Sequence, residues 1–149
     1  MRVSVIGGGD ISSDAAELAY DLGVELAQRD HTVVCGGLGG TMEAVCRGAS
    51  AAGGQTIGIL PGTDRSDANP HVDIAIATGL GHARNALVPL NGTVTIALPG
   101  GPGTHTELGF ATIYDRPVIS LDTYEGPGIQ SADSPAEAVR VAEQVGPVP

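Results

Sequence analysis

The chain is 149 residues long, with 42% hydrophobic and 16% charged residues, a balance that suits one folded domain and excludes a disordered chain. Its net charge of −10, with Arg supplying all seven basic residues, argues against nucleic acid and anionic membranes as partners. Two cysteines and four scattered histidines offer no metal-ligand spacing, so neither a metal nor any other cofactor is called for.

The chain opens directly in an apolar run at 2–6, read as a strand without a signal peptide. No run is long enough to span a bilayer, and a cytoplasmic, reduced setting is expected, with Cys35 and Cys46 as buried small hydrophobes. The first strand runs into Gly7-Gly8-Gly9-Asp10-Ile11-Ser12. A helix should follow from about Ser13 or Asp14, with Ala15, Leu18, Ala19, Leu22 and Leu26 on its apolar face. This opening is not a dinucleotide fingerprint, because Ser12 takes the third glycine position and no acid closes the second strand at 31–35. The amides of Gly8 and Gly9 and the Ser12 hydroxyl are instead candidates to hold a phosphate or base. A second glycine-rich turn, 36–40, offers Gly37 for the same use and leads into a helix with Met42, Val45, Cys46 and Ala49 facing inward. A third strand at 55–60 precedes an acidic loop at 61–70. The fourth, 73–77, alternates in a way that assigns it an inner place in the sheet.

At 78–88 a turn leads into a helix carrying His82, Arg84 and Asn85. An Arg at that point faces the crevice at the carboxyl edge of a parallel sheet. The fifth strand, 93–98, enters Pro99-Gly100-Gly101-Pro102-Gly103-Thr104-His105-Thr106-Glu107, ahead of a helical run at 108–114. Strand, glycine-rich turn and helix in that order make a phosphate-binding corner, with the amides of Gly100, Gly101, Gly103 and Thr104 and the Thr104 hydroxyl as its donors. Glu107 then lies within reach of a sugar whose phosphate rests on those amides. Thr104-x-x-Glu107 is equally a capping box, in which the Glu bonds back to the cap amide. A sixth strand at 117–121, a turn at 126–128 and a helix from Ser134 to about Val145 complete the chain, before a tail at 146–149 expected to fray.

Strands alternating with helices predict an α/β, three-layer Rossmann-like fold. A parallel sheet of about six or seven strands would carry helices on both faces, with loops 7–13, 36–41, 78–84 and 99–107 gathered at one edge.

The Pro-Gly-Gly-x-Gly-Thr-x-x-Glu stretch resembles the signature of the LOG ("lonely guy") family. Gly81-His82-Ala83-Arg84-Asn85 is similar to that family's Met-His-x-Arg-Lys at His82 and Arg84 but departs at Gly81 and Asn85, as in a LOG-related prokaryotic branch. The resemblance implies a homodimeric phosphoribohydrolase, releasing a base from a nucleoside 5′-monophosphate with Arg84 and Glu107 as catalytic residues. In that scheme Glu107 stabilises the sugar cation and activates water, while Arg84 holds phosphate or ribose and keeps Glu107 ionised by lowering its pKa. Molybdenum cofactor carriers resemble this chain in fold and glycine-rich edge, so a non-catalytic nucleotide or pterin-cofactor binding protein, or a nucleotide sensor, is the alternative. In each case the partner is a nucleotide-like small molecule.

Overall fold

Short apolar runs of four or five residues, separated by amphipathic ones, set the architecture. The computed structural model describes residues 1–147, and the final two residues of the tail expected to fray lie outside them. The strands are β1 (Arg2–Ile6), β2 (Thr32–Cys35), β3 (Thr56–Leu60), β4 (Ile74–Ala77), β5 (Val94–Ala97), β6 (Val118–Leu121) and β7 (Ile129–Ala132). The α-helices are α1 (Ser13–Gln28), α2 (Thr41–Ala51), α3 (Leu87–Leu90), α4 (Pro102–Ile113) and α5 (Pro135–Val145), with a 3-10 helix at Gly81–Ala86. All seven strands form one parallel sheet in the order β4-β3-β2-β1-β5-β6-β7. This is a three-layer, Rossmann-like α/β fold.

Period-two alternation distributes the strand side chains between two cores. Val3, Val5, Val33, Cys35, Ile96 and Ile119 face α1, α2 and α5, whereas Ile6, Val34, Ile57, Ile59, Ala97 and Val118 face Val88 of α3 and Ala111 of α4. Helices α1 and α2 approach closely because Gly23 and Gly48 meet backbone: a Cβ on Gly48 would sit 2.0 Å from the Tyr20 carbonyl oxygen. Ser4 Oγ donates to the Val88 carbonyl at 2.7 Å and ties α3 to β1.

Three expectations change. Strand β4 is at the sheet edge, not inside it, and Ile74 and Ile76, in register with Ile57 and Ile59, stay exposed at the margin of the α3/α4 face. The helix expected at 78–88 is a 3-10 turn followed by a single α-turn, because the chain enters it through Gly79 and Gly81 at positive φ. Helix α4 begins at Pro102, with Gly101 as its cap residue, so Thr104 is already inside the helix and the capping box does not form. Strand β7 is an addition, since Ile129-Gln130-Ser131-Ala132 carries too little apolar alternation to be read as a strand.

Candidate functional site

Strand order reverses between β1 and β5, and the loops leaving their carboxyl ends turn to opposite faces of the sheet. A ligand crevice is expected at such a switch point. A cleft of about 460 Å³ opens there, lined by Gly8, Gly9, Asp10, Ile11, Ser12, Ala15, Pro99, Gly100 and Gly101. Of the residues singled out from sequence, this cleft gathers Gly8, Gly9, Ser12, Gly100 and Gly101; Gly37, His82, Arg84, Asn85, Gly103, Thr104 and Glu107 do not line it.

The two loops are cross-tied. The Gly8 amide donates to the Pro99 carbonyl at 2.9 Å, and the Gly8 carbonyl accepts the first amide of α2, from Thr41, at 2.9 Å. A Cβ on Gly100 would lie 2.1 Å from Thr104 Oγ1 and 2.8 Å from the Gly8 nitrogen, so only glycine fits. Gly8 therefore has no amide to spare. Gly37 is likewise occupied, its N–H pointing at Cys35 Sγ (3.4 Å) and its carbonyl accepting from the Asn69 amide at 2.9 Å. Ser12 Oγ caps α1 by accepting from Ala15 N at 3.1 Å, leaving its hydroxyl proton to donate elsewhere. In contrast, the amides of Gly9, Gly100, Gly101, Gly103 and Thr104 have no acceptor among the described residues. Four of the five belong to the entry and first turn of α4, where the helix dipole adds positive potential.

Behind the turn lies a buried polar cluster. The 3-10 helix carries Arg84, 7% exposed, whose Nε donates to the Ile59 carbonyl at 2.8 Å and whose Nη2 reaches the Gly36 carbonyl at 3.4 Å. Its Nη1 donates to Asn85 Oδ1. Asn85 Nδ2 then donates to Thr106 Oγ1 at 3.1 Å, which donates to the Gly103 carbonyl at 2.6 Å. One chain of bonds thus runs from Arg84 to the first turn of α4. Sequence reading missed Thr106 and left Asn85 secondary; the variable positions of the glycine motif were the only signal available.

Glu107, 8% exposed, follows in the second turn of α4. Burial pushes its carboxyl up to about 8, and the nearby Arg84 only partly offsets this. The expected order of effects is therefore reversed: desolvation outweighs the guanidinium, the two groups form no direct ion pair, and Glu107 holds its proton at neutral pH. Burial also lowers the Arg84 pKa, and Glu107 opposes that shift. His82 is exposed on the 3-10 helix and makes no hydrogen bond among the described residues. Among the described residues no cluster of His, Cys, Asp or Glu is suited to a metal ion, and no helix is long and apolar enough to cross a membrane.

A family model described as the SLOG cluster4 family matches residues 1–147. The chain belongs to that family. It is 36% identical over 140 residues to a protein of Archaeoglobus fulgidus, covering 93% of this chain and 92% of that one. It is also 32% identical to a cytokinin riboside 5′-monophosphate phosphoribohydrolase of Mycobacterium tuberculosis, over 75% of this chain and 65% of that enzyme, which makes this SLOG protein LOG-related. Among solved structures, the molybdenum cofactor binding protein of Rippkaea orientalis matches with a TM-score of 0.92 and 33% identity, over 97% of this chain and 96% of that one.

Proposed function

We propose that the protein is a phosphoribohydrolase, cleaving a nucleoside 5′-monophosphate and water into free base and ribose 5-phosphate. The observation that carries this reading is the row of unpartnered amides at Gly100, Gly101, Gly103 and Thr104, one helical turn ahead of a buried carboxylic acid on the same helix. Phosphate on those amides needs no lysine, which suits a chain with a net charge of −10. Thr104 and Glu107 are three residues apart on the buried face of α4, so the sugar attached to such a phosphate extends toward Glu107.

As the C1′–N bond breaks, protonated Glu107 donates its proton to the departing base. The carboxylate so formed faces the oxocarbenium ion, with Arg84 limiting the cost of the new charge, and takes a proton from the water that attacks C1′. Proton and water balance, and Glu107 ends as it began. Asn85 and Thr106 hold Arg84 in place, and the ligand loops belong to a homodimer completing its own sites. A panel of nucleoside monophosphates assayed for free base and ribose 5-phosphate tests this. Stoichiometric release that is abolished by Glu107→Gln is expected; no release from any nucleotide, at low or high salt, overturns it.

A carrier reading is favoured by one observation: the likeness to the Rippkaea orientalis cofactor-binding protein runs over nearly all of both chains, whereas the match to the mycobacterial hydrolase covers 65% of that enzyme. Native mass spectrometry of purified protein separates the two, since a carrier retains a pterin or nucleotide intact.

A further inference from the structure

A nucleotide or pterin presents a flat heterocycle as well as a phosphate, and the cleft described above supplies amides and the aliphatic groups of Ile11, Ala15 and Pro99 but no aromatic ring. The chain has three Tyr, one Phe and no Trp, so the candidates are few. Tyr20 lies on α1 under Arg47, whose guanidinium carbon is 5.3 Å from the ring centroid. Phe110 and Tyr114 stack on one another at 5.9 Å in the far half of α4. Tyr124 alone stands at the carboxyl edge of the sheet, in the loop after β6.

Its placement is determined by buried groups. Ser120, 2% exposed at the end of β6, accepts the Tyr124 amide on Oγ at 2.6 Å. The phenol points back at the anion turn, with its hydroxyl 3.5 Å from the Gly100 carbonyl. The ring meets His105 edge-on, centroids 5.2 Å apart at 87°. His105 is itself anchored to that turn: its Nδ1 lies 2.9 Å from the Gly101 carbonyl, which can only accept, so this nitrogen donates. Two rings from different elements therefore converge on the two carbonyls of the turn whose amides are free.

We propose that Tyr124, backed by His105, is the surface on which the planar ring of the ligand lies, and so selects ligands with a heterocycle over bare sugar phosphates. This rests on the phosphate reading of the glycine turn. A base–aromatic contact contributes roughly 1–3 kcal/mol, or about 5- to 150-fold in affinity. His105 is exposed, whereas Tyr124 is partly buried and packs against the α3/α4-side core, so Tyr124→Phe, which keeps that packing, and unchanged binding of ribose 5-phosphate separate loss of the ring contact from loss of the fold.

The test is calorimetric titration of AMP and of ribose 5-phosphate into Glu107→Gln, which binds AMP without turning it over, and into the same protein carrying Tyr124→Ala, Tyr124→Phe or His105→Ala. Tyr124→Ala should weaken AMP by about tenfold and leave ribose 5-phosphate unchanged, with Tyr124→Phe recovering most of the loss and His105→Ala intermediate. Equal weakening of both ligands means that Tyr124 merely supports the turn, and no change in either removes it from the site; each result overturns this inference alone. A failure of both Glu107→Gln and the wild type to bind ribose 5-phosphate, with no AMP binding by Glu107→Gln, overturns the phosphate reading, and this inference with it.

Discussion

If burial rather than Arg84 controls Glu107, the consequence is visible in folding stability without any ligand. The unfolded carboxyl titrates at its ordinary 4.5 and the folded one at about 8. Between these values the native state binds more protons than the unfolded state, so unfolding free energy falls as pH rises, with a slope approaching about 1.4 kcal/mol per pH unit. The contribution is fully present below about pH 4.5 and lost by about pH 8, in total roughly 5 kcal/mol, of which roughly 3 kcal/mol has gone by pH 7. Glu107→Gln keeps the shape and removes the titration. Urea unfolding of both proteins from pH 4.5 to 9 gives two curves whose difference isolates position 107, since the histidines titrate in both. The variant should gain on the wild type steadily up to pH 8 and then level off. A difference that is flat, or that grows as pH falls, would mean the guanidinium dominates and the carboxylate is ionised.

Catalysis that uses the protonated acid should decline above about pH 8, read as the alkaline limb of kcat/KM against pH, and hold on the acid side. Arg84→Ala should lower base release by about a hundredfold or more, and Arg84→Lys should not restore it, because an ammonium cannot serve acceptors on three separate elements; steady-state kinetics decides. Asn85→Ala should lower kcat more than it raises KM, since it frees one arm of the guanidinium without touching the amide row. Gly100→Ala, whose Cβ would meet Thr104 and the Gly8 amide, should cost about 1–3 kcal/mol in urea unfolding, while Gly101→Ala, with nothing within 4 Å, should unfold like wild type.

The fold was legible because its inner strands are continuous apolar runs and its turns are glycine-rich, and both signals are local. The site was legible as far as backbone chemistry goes: a glycine turn before a helix implies free amides whatever surrounds it. What sequence could not convey was three-dimensional cost. Ile74 and Ile76 read as inner-strand residues, yet the sheet simply ends at β4. Gly8 and Gly37 read as amide donors, but the Pro99 carbonyl in the turn after β5 and the sulfur of Cys35 reach them first. The charge of Glu107 depends on how deeply α4 packs, which no spacing records. Pro102 did hold a readable signal, since proline favours the first turn of a helix, and it placed the helix start ahead of Thr104.

The central claim is that an anion rests on the main-chain nitrogens at the entry to α4. Amide NMR during titration with ribose 5-phosphate reads those nitrogens directly. The account predicts saturable shifts at Gly100, Gly101, Gly103 and Thr104, with Gly37 unmoved because its N–H is already occupied. Shifts confined to other loops, or none at saturating ligand, would contradict it.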